Sequence, residues 1–425
     1  MTGANAFFSA MYFVIAAVYR VRVAHLNPLQ LVLVGTVMEL SIFVFQVPTG
    51  VIADVVSRRA SIIIGFALMG AGLTIEPLFP RFDVILGVQV LWGLGYTFTS
   101  GATEAWIAGE VEEGAAGNTF VRGAQVVAAA GLIGSPLGAL LAGVRLNLGM
   151  LIAGIATLGI AAALIPLMPE SGFRGMPGAG ADTERPSFRR MAATAREGVR
   201  LVRLRPALVS ILAVGLFFGL YSEAYDRLQE AHFLADLSFP PLGHLSYVVW
   251  FGVIDAGASL LALGATEVVR RRVDLASHRA IGRGLVGMTA VLSLGVIAFG
   301  LAGSFWLAVA AVWTIAVMRR ASSPLYDAWL TMHADPKVRA TVISLAGQVD
   351  AFGQVAGGPA LGALGTARGL RVALVAAGAL LTPAIPLLWR ATKRTPIYPV
   401  TSDVASTPES ADAVEAVGKP LIEHP

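Results

Sequence analysis

The sequence predicts an all-α integral membrane protein of twelve transmembrane helices arranged as two pseudo-symmetric six-helix bundles. Three observations carry that expectation. Apolar runs of roughly 20 residues recur along the whole chain, the length that crosses a hydrocarbon core of about 30 Å. A polar stretch divides those runs six and six, and the residue pattern of the first half returns in the second.

Composition agrees with a chain that sits in lipid. Of 425 residues, 56% are hydrophobic and only 14% are charged, against about 25% charged in soluble domains. Mean hydropathy is +0.72. The 47 glycines suit helices that pack closely in a bilayer. There is no cysteine, which excludes disulfides and thiolate metal sites. The net charge is +4, but the basic residues sit mainly in short loops between apolar runs. The charge therefore reads as membrane topology, with no nucleic-acid partner. The first run, from Ala4, meets no charge until Arg20. It lacks the basic flank of a signal peptide and reads as a retained spanning helix.

The twelve expected spans cover residues 4–24, 29–53, 60–79, 83–107, 119–142, 147–167, 206–225, 244–266, 282–303, 304–328, 340–363 and 370–389. The ninth and tenth meet at Gly303 and Ser304, the weakest boundary. These runs imply four regions: a bundle over 1–168, a linker over 169–205, a bundle over 206–390, and a polar, disordered tail over 391–425. About 21 Lys and Arg lie on the side of the termini and linker, against about seven on the other. The positive-inside rule then places both termini in the cytoplasm. Within the linker, residues 187–204 have helical apolar spacing with several arginines. Two readings stand for this segment: a helix on the inner leaflet, or a solvated linker helix.

The halves correspond at an ungapped offset of 223 residues. Glu104-Ala105-Trp106 matches Asp327-Ala328-Trp329, Gln125 matches Gln348, Gly134 matches Gly357, and Pro136 matches Pro359. At offset 213, Asp54 with Arg58 and Arg59 matches Glu267 with Arg271 and Arg272. Parallel six-span halves imply an axis along the membrane normal and a cavity between them near the midplane. Gly134, Pro136, Gly358 and Pro359 are the expected helix-packing positions.

After the second span the chain reads Pro48-Thr49-Gly50-Val51-Ile52-Ala53-Asp54-Val55-Val56-Ser57-Arg58-Arg59. Gly50 permits close helix approach, and Asp54 lies one turn before Arg58. A carboxylate there can pair with guanidinium groups differently in two conformations. This stretch resembles the signature loop of the major facilitator superfamily, Gly-x-x-x-Asp-x-x-x-Arg-Arg/Lys, with Gly50, Asp54, Arg58 and Arg59 in the matching places. The resemblance implies the major facilitator fold and a cytoplasmic gating role for those four residues. Likeness to the drug:proton antiporters is partial. The fourth-span stretch Gln89-Val90-Leu91-Trp92-Gly93 lacks the arginine that often precedes its Gln-Gly pair. The fifth-span antiporter pattern appears only as Gly131-x3-Ser135-Pro136, and the cleaner pair is Gly358-Pro359.

An ionised group at mid-bilayer costs on the order of 3 kcal/mol or more, so each needs a reason. Glu39, Asp255 and Asp350 are expected on a proton or substrate pathway, with Gln125 and Gln348 beside it. Arg319 and Arg320 divide evenly between that pathway and structural pairing, one of them pairing with Asp350 or Asp327. Glu104 and Asp327 read as structural. Glu223, Asp226, Arg227 and Glu230 read as an outer gate or a wet helix end. Arg20 and Arg22 read in the same way, and Glu76 is expected to meet water. Tyr19, Trp92, Tyr96, Trp106, Tyr221, Trp250 and Trp329 are candidates for an apolar pocket or for interfacial belts.

The histidines lack metal-ligand spacing, and no Walker or dinucleotide pattern occurs. The chain therefore reads as a non-enzyme with no cofactor and no metal. The expected function is secondary transport of a small-molecule substrate through the lipid bilayer of the cytoplasmic membrane. Proton-coupled efflux by a monomer is the first reading. Uptake of a nutrient or metabolite and a non-transporting sensor of the same fold are the alternatives.

Overall fold

The computed structural model describes residues 1–111, 116–170, 206–274, 277–334 and 339–393. The segment 187–204, most of the linker and the tail from 394 lie outside them. Twelve long elements follow in order: α1 (Thr2–Arg22), α2 (Pro28–Val55), α3 (Arg58–Leu78, its last turn 3-10), α4 (Phe82–Glu110), α5 (Ala116–Val144) and α6 (Leu148–Leu167). The second set is α7 (Pro206–Asp236), α8 (Val249–Arg272), α9 (His278–Leu301), α10 (Phe305–His333), α11 (Arg339–Arg368) and α12 (Leu370–Thr392). Among the described residues the only β pairing is an isolated bridge between Leu242 and Leu245. Eleven of these elements are long and apolar enough to cross a membrane. The remaining one, α11, carries Gln348, Asp350 and Gln354 along its length.

Local chemistry sets the helix ends. Asn27 accepts from the Gln30 amide at 2.9 Å while the Gln30 side chain returns to the Asn27 amide at 3.1 Å, and Pro28 opens the first turn. These contacts satisfy amide donors that a helix start leaves orphaned. Ser57, Ser277 and Ser304 cap α3, α9 and α10 in the same sense. The Ser304 cap makes the ninth–tenth boundary a true turn. Two expected spans are broken. In α4 the helix stops at Ser100 and restarts at Ala102, with Gly101 at φ 75°, a conformation open to a residue without Cβ. In α12 the break falls at Thr382 and Pro383, where proline lacks the amide to continue.

Helices of each half pack mainly on one another. In α5, Gly134 and Gly138 lie against the backbone of Phe7 and Met11 of α1, and a Cβ on Gly138 would stand 2.5 Å from the Met11 carbonyl. In α11, Gly353 and Gly357 meet Leu216 and Leu220 of α7 in the same way, with a Gly353 Cβ 2.5 Å from the Leu216 carbonyl. Gly134 and Gly357 are equivalent in the repeat. We expect Gly134→Leu and Gly357→Leu each to destabilise the purified protein by about 1–3 kcal/mol through overpacking. Gly131→Leu, at a position where an added Cβ would meet nothing within 4 Å, should stay within about 0.5 kcal/mol. Thermal unfolding in detergent distinguishes the two classes, and equal effects at all three sites would sink the packing argument.

Between the halves, two seams close one end of the molecule. On the first, Gly358 and Gly362 of α11 lie against Val32 and Thr36 and against Leu29 of α2, and the Leu29 amide donates to Thr366 at 3.0 Å. On the second, Gly252 of α8 lies against Pro136 and Ala139 of α5. Arg22 bridges α1 to α7 by donating to the Leu234 carbonyl at 3.2 Å. Each seam then stops. The α2 face that buries Val32 and Thr36 continues as exposed Leu40, Phe43, Val47 and Val51. Below Gly252, Asp255 and Leu260 are exposed too. The halves therefore touch at the end opposite the linker and part toward the linker end, with Glu39 and Asp255 where the seams run out.

Candidate functional site

Two cavities adjoin Arg319, one where the second seam ends and one inside the second bundle. The first, of about 410 Å³, is walled by α1, α5, α7, α8 and α10 and contains Asp226, Gln229, Glu230, Asp255 and Arg319. The second, of about 360 Å³, lies among α7, α9, α10, α11 and α12 and contains Arg319, Tyr326, Asp327 and Asp350. Arg319 faces both. It forms a two-pronged ion pair with Asp226, one arm at 2.9 Å, and its guanidinium stands 5.9 Å from the Tyr225 ring centre. Planar pairing of this kind suits arginine, and it ties α10 to α7 in the middle of the cavity. In the second cavity Gln354 donates to Asp350 at 2.8 Å, and Tyr326 donates to the Ile211 carbonyl at 2.9 Å.

Glu39 is half-buried at the tip of the first seam, within electrostatic reach of Glu223, Arg227, Asp226 and Asp350. Glu223 and Arg227 pair at 3.0 Å and press on Gly35 of α2, so they lock the closed end. Arg320 is exposed, one position beyond Arg319 on α10. Gln125 and Gln348 are exposed on the linker-side halves of α5 and α11. Pro136 lies inside α5 at the second seam, and Pro359 follows Gly358 inside α11 at the first.

The signature loop sits at the linker end. Ser57 and the Arg59 amide both bond Glu170, at 2.9 Å and 3.0 Å, which anchors the start of α3 to the end of α6. Arg58 donates to the Ala105 carbonyl at 3.0 Å and Arg59 to that of Ile165. Asp54 stands 3.9 Å from Arg58 and is largely exposed. Gly50 faces open space. In the second half the equivalent Glu267 is fully paired, to Arg270 at 2.7 Å and Arg271 at 2.5 Å.

No protein-family model matches the sequence. The chain is 22% identical over 369 residues to an uncharacterized MFS-type transporter, YxaM, of Bacillus subtilis (strain 168), covering 85% of this chain and 86% of that protein. Its backbone is similar to that of a bacterial homologue of the human lysosomal transporter Spinster, solved inward-facing and unoccupied. The TM-score is 0.69 at 15% identity, over 92% of this chain and 95% of that one. The nucleoside transporter NupG superposes with a TM-score of 0.67 at 10% identity, over 93% and 98% of the two chains. The chain has the major facilitator fold. These relatives are transporters and not enzymes, in line with the lack of a catalytic constellation in the sequence.

Within the major facilitator fold, several sequence expectations need correction. Glu76 does not meet water. It is wholly buried and takes both arms of Arg20, at 2.7 Å and 3.1 Å, with Gln89 donating to it at 3.2 Å. The 3-10 turn over Glu76–Leu78, which holds Pro77, ends α3 beside α1. Arg319 pairs with Asp226, and neither Asp350 nor Asp327 is its partner, because α10 presents it toward α7. Asp226 and Glu230 are cavity walls and not a wet helix end. The aromatic candidates divide. Tyr19, Tyr221 and Trp329 are fully buried core, Trp92 stacks on Tyr96 with centroids 5.5 Å apart, and Trp106 donates to the Pro169 carbonyl at 2.8 Å. The i,i+4 spacing of Asp226 and Glu230, which puts both on one face of α7, was the available signal for the cavity wall.

Proposed function

We propose that the protein is a secondary transporter that moves a small organic solute across the cytoplasmic membrane by alternating access, coupled to protons and directed outward. One observation carries this reading: both seams are closed at one end, open toward the linker, and stop at Glu39 and Asp255 beside a charged central cavity. Alternating access needs a cavity that opens to one side at a time, at the interface of two pseudo-equivalent bundles. The excess of Lys and Arg on the linker side assigns that side to the cytoplasm, so this conformation opens inward. Carboxylates at the seam tips are placed to trade a proton as the seams open and close. The Pro136 and Pro359 positions support export. Uptake is the second reading, supported by Ser135 where the antiporter pattern has glycine.

Proteoliposomes holding the purified protein should move solutes from a chemically broad panel when a pH gradient is imposed, and Glu39→Gln or Asp255→Asn should uncouple that movement from the gradient. No movement of any solute would sink the transport reading. A deletion strain that gains intracellular solute supports export, and one that loses it supports uptake. Asp54→Asn should lower transport about fivefold or more, within the 1–3 kcal/mol typical of conformational coupling. Its stability should hardly change, because the 3.9 Å pair is exposed here and such pairs are worth 1 kcal/mol or less. Undiminished transport removes the loop from the mechanism.

A further inference from the structure

The wall of the 410 Å³ cavity is unbalanced in charge. Three carboxylates, Asp226, Glu230 and Asp255, face it against one guanidinium, Arg319. Arg319 is spent on Asp226, since both of its terminal nitrogens bind that carboxylate. The next nearest cation, Arg227, is bound to Glu223 at 3.0 Å. Glu230 and Asp255 remain, within electrostatic reach of each other. The buried Oε2 of Glu230 has no hydrogen-bond partner, and the carboxylate otherwise meets the Gln229 amide at 3.5 Å and its own backbone amide. The Glu230 Oε2 is held out of water without a partner, which is costly, and Asp255, itself exposed, adds a like charge within reach of it.

The remaining surface is apolar, aliphatic and aromatic together. Phe13 of α1, Tyr225 and Phe233 of α7 and Phe251 of α8 line the same cavity, and Phe233 and Phe251 meet edge to face with centroids 6.0 Å apart. Ring faces carry negative potential and attract a cation within about 6 Å. A volume near 410 Å³ lies in the range of small-molecule sites. Unpartnered negative charge and aromatic side chains on one wall point to the same ligand chemistry.

We propose that this cavity binds an organic cation, its positive centre held by Glu230 and Asp255 and its apolar body against Phe13, Phe233 and Phe251. The inference rests on the transport reading only for its consequence, that such a cation is the cargo. Binding itself needs no gradient. An anionic cargo would add a third uncompensated charge beside Glu230 and Asp255, and a neutral one would leave both as they are.

The test is titration calorimetry on the full chain in uncharged detergent with three probes of similar size: benzyltrimethylammonium, its uncharged isostere neopentylbenzene, and benzoate. Benzyltrimethylammonium should bind saturably in the micromolar to millimolar range, at least about tenfold tighter than either comparator, a difference of about 1.4 kcal/mol. Glu230→Gln with Asp255→Asn should remove that preference and leave the weak neutral binding. Glu230→Asp should retain most of it, which guards against a variant that merely misfolds. Benzoate or neopentylbenzene binding as well as the cation overturns the proposal, as does no saturable cation binding at millimolar concentration or an unchanged preference in the double variant. Cation binding by a protein that moves nothing in liposomes keeps this inference and sinks the transport reading. Gradient-driven movement of other solutes without cation binding does the reverse.

Discussion

Glu76→Ala is expected to destabilise the protein by about 3–5 kcal/mol, the usual cost of stripping one partner from a buried ion pair. Arg20 and Glu76 are both buried, at 5% and 0% exposure, so neither is rescued by water. With the carboxylate gone, the Arg20 guanidinium keeps its charge inside the first bundle. Gln89 loses its acceptor. Arg20→Leu should cost a similar amount by leaving the carboxylate alone. The double replacement Arg20→Leu with Glu76→Leu should recover much of the loss, because a buried pair gains little over well-packed apolar residues once its desolvation is counted. Thermal unfolding of the parent, Arg20→Leu, Glu76→Leu and the double replacement closes the cycle. A Glu76→Ala protein that melts with the parent would sink the argument, and additive single effects would show that the two side chains do not interact.

The same pair shows where the sequence can be read and where it cannot. Apolar run length and basic loops place helices and loops because each is local: about 20 apolar residues cross a bilayer whatever lies beside them. Gly134 and Gly357 fall at equivalent positions of the repeat, and both lie against the backbone of a neighbouring helix. Partners in lipid are not local. Arg20 and Glu76 lie 56 positions apart, and linear depth put Glu76 near the surface. The turn after α3 and the rotation of α1 decide that it faces inward. Arg319 failed for the same reason. Depth alone suggested Asp327 and Asp350, both of which do line a cavity with it. The rotation of α10 turned its nitrogens toward Asp226 on α7 instead. The helix breaks at Gly101 and Pro383 were written in residue types, yet an unbroken apolar run conceals them.

Arg319→Ala is expected to cut transport by about tenfold or more while Asp226→Asn costs less. The pair faces the cavity with side chains 36% and 40% exposed, so its loss costs about 1 kcal/mol of stability or less, and the effect on transport comes from the charge left in the cavity. The two removals leave different remainders. Without Arg319, Asp226 joins Glu230 and Asp255 in the first cavity and Asp350 stands uncompensated in the second, so negative charge accumulates on both sides of α10. Without the Asp226 charge, Arg319 still has carboxylates within electrostatic reach, Asp350 among them. It can turn toward one. Combining Arg319→Ala with Asp226→Asn should keep the unfolding temperature near that of the parent yet leave transport low, because Arg319 is the group shared by both cavities. Rates in proteoliposomes beside melting curves separate these effects. Full transport by Arg319→Ala would place the pair outside the path of the solute. Recovery of transport in the double replacement would make it a structural brace between α7 and α10.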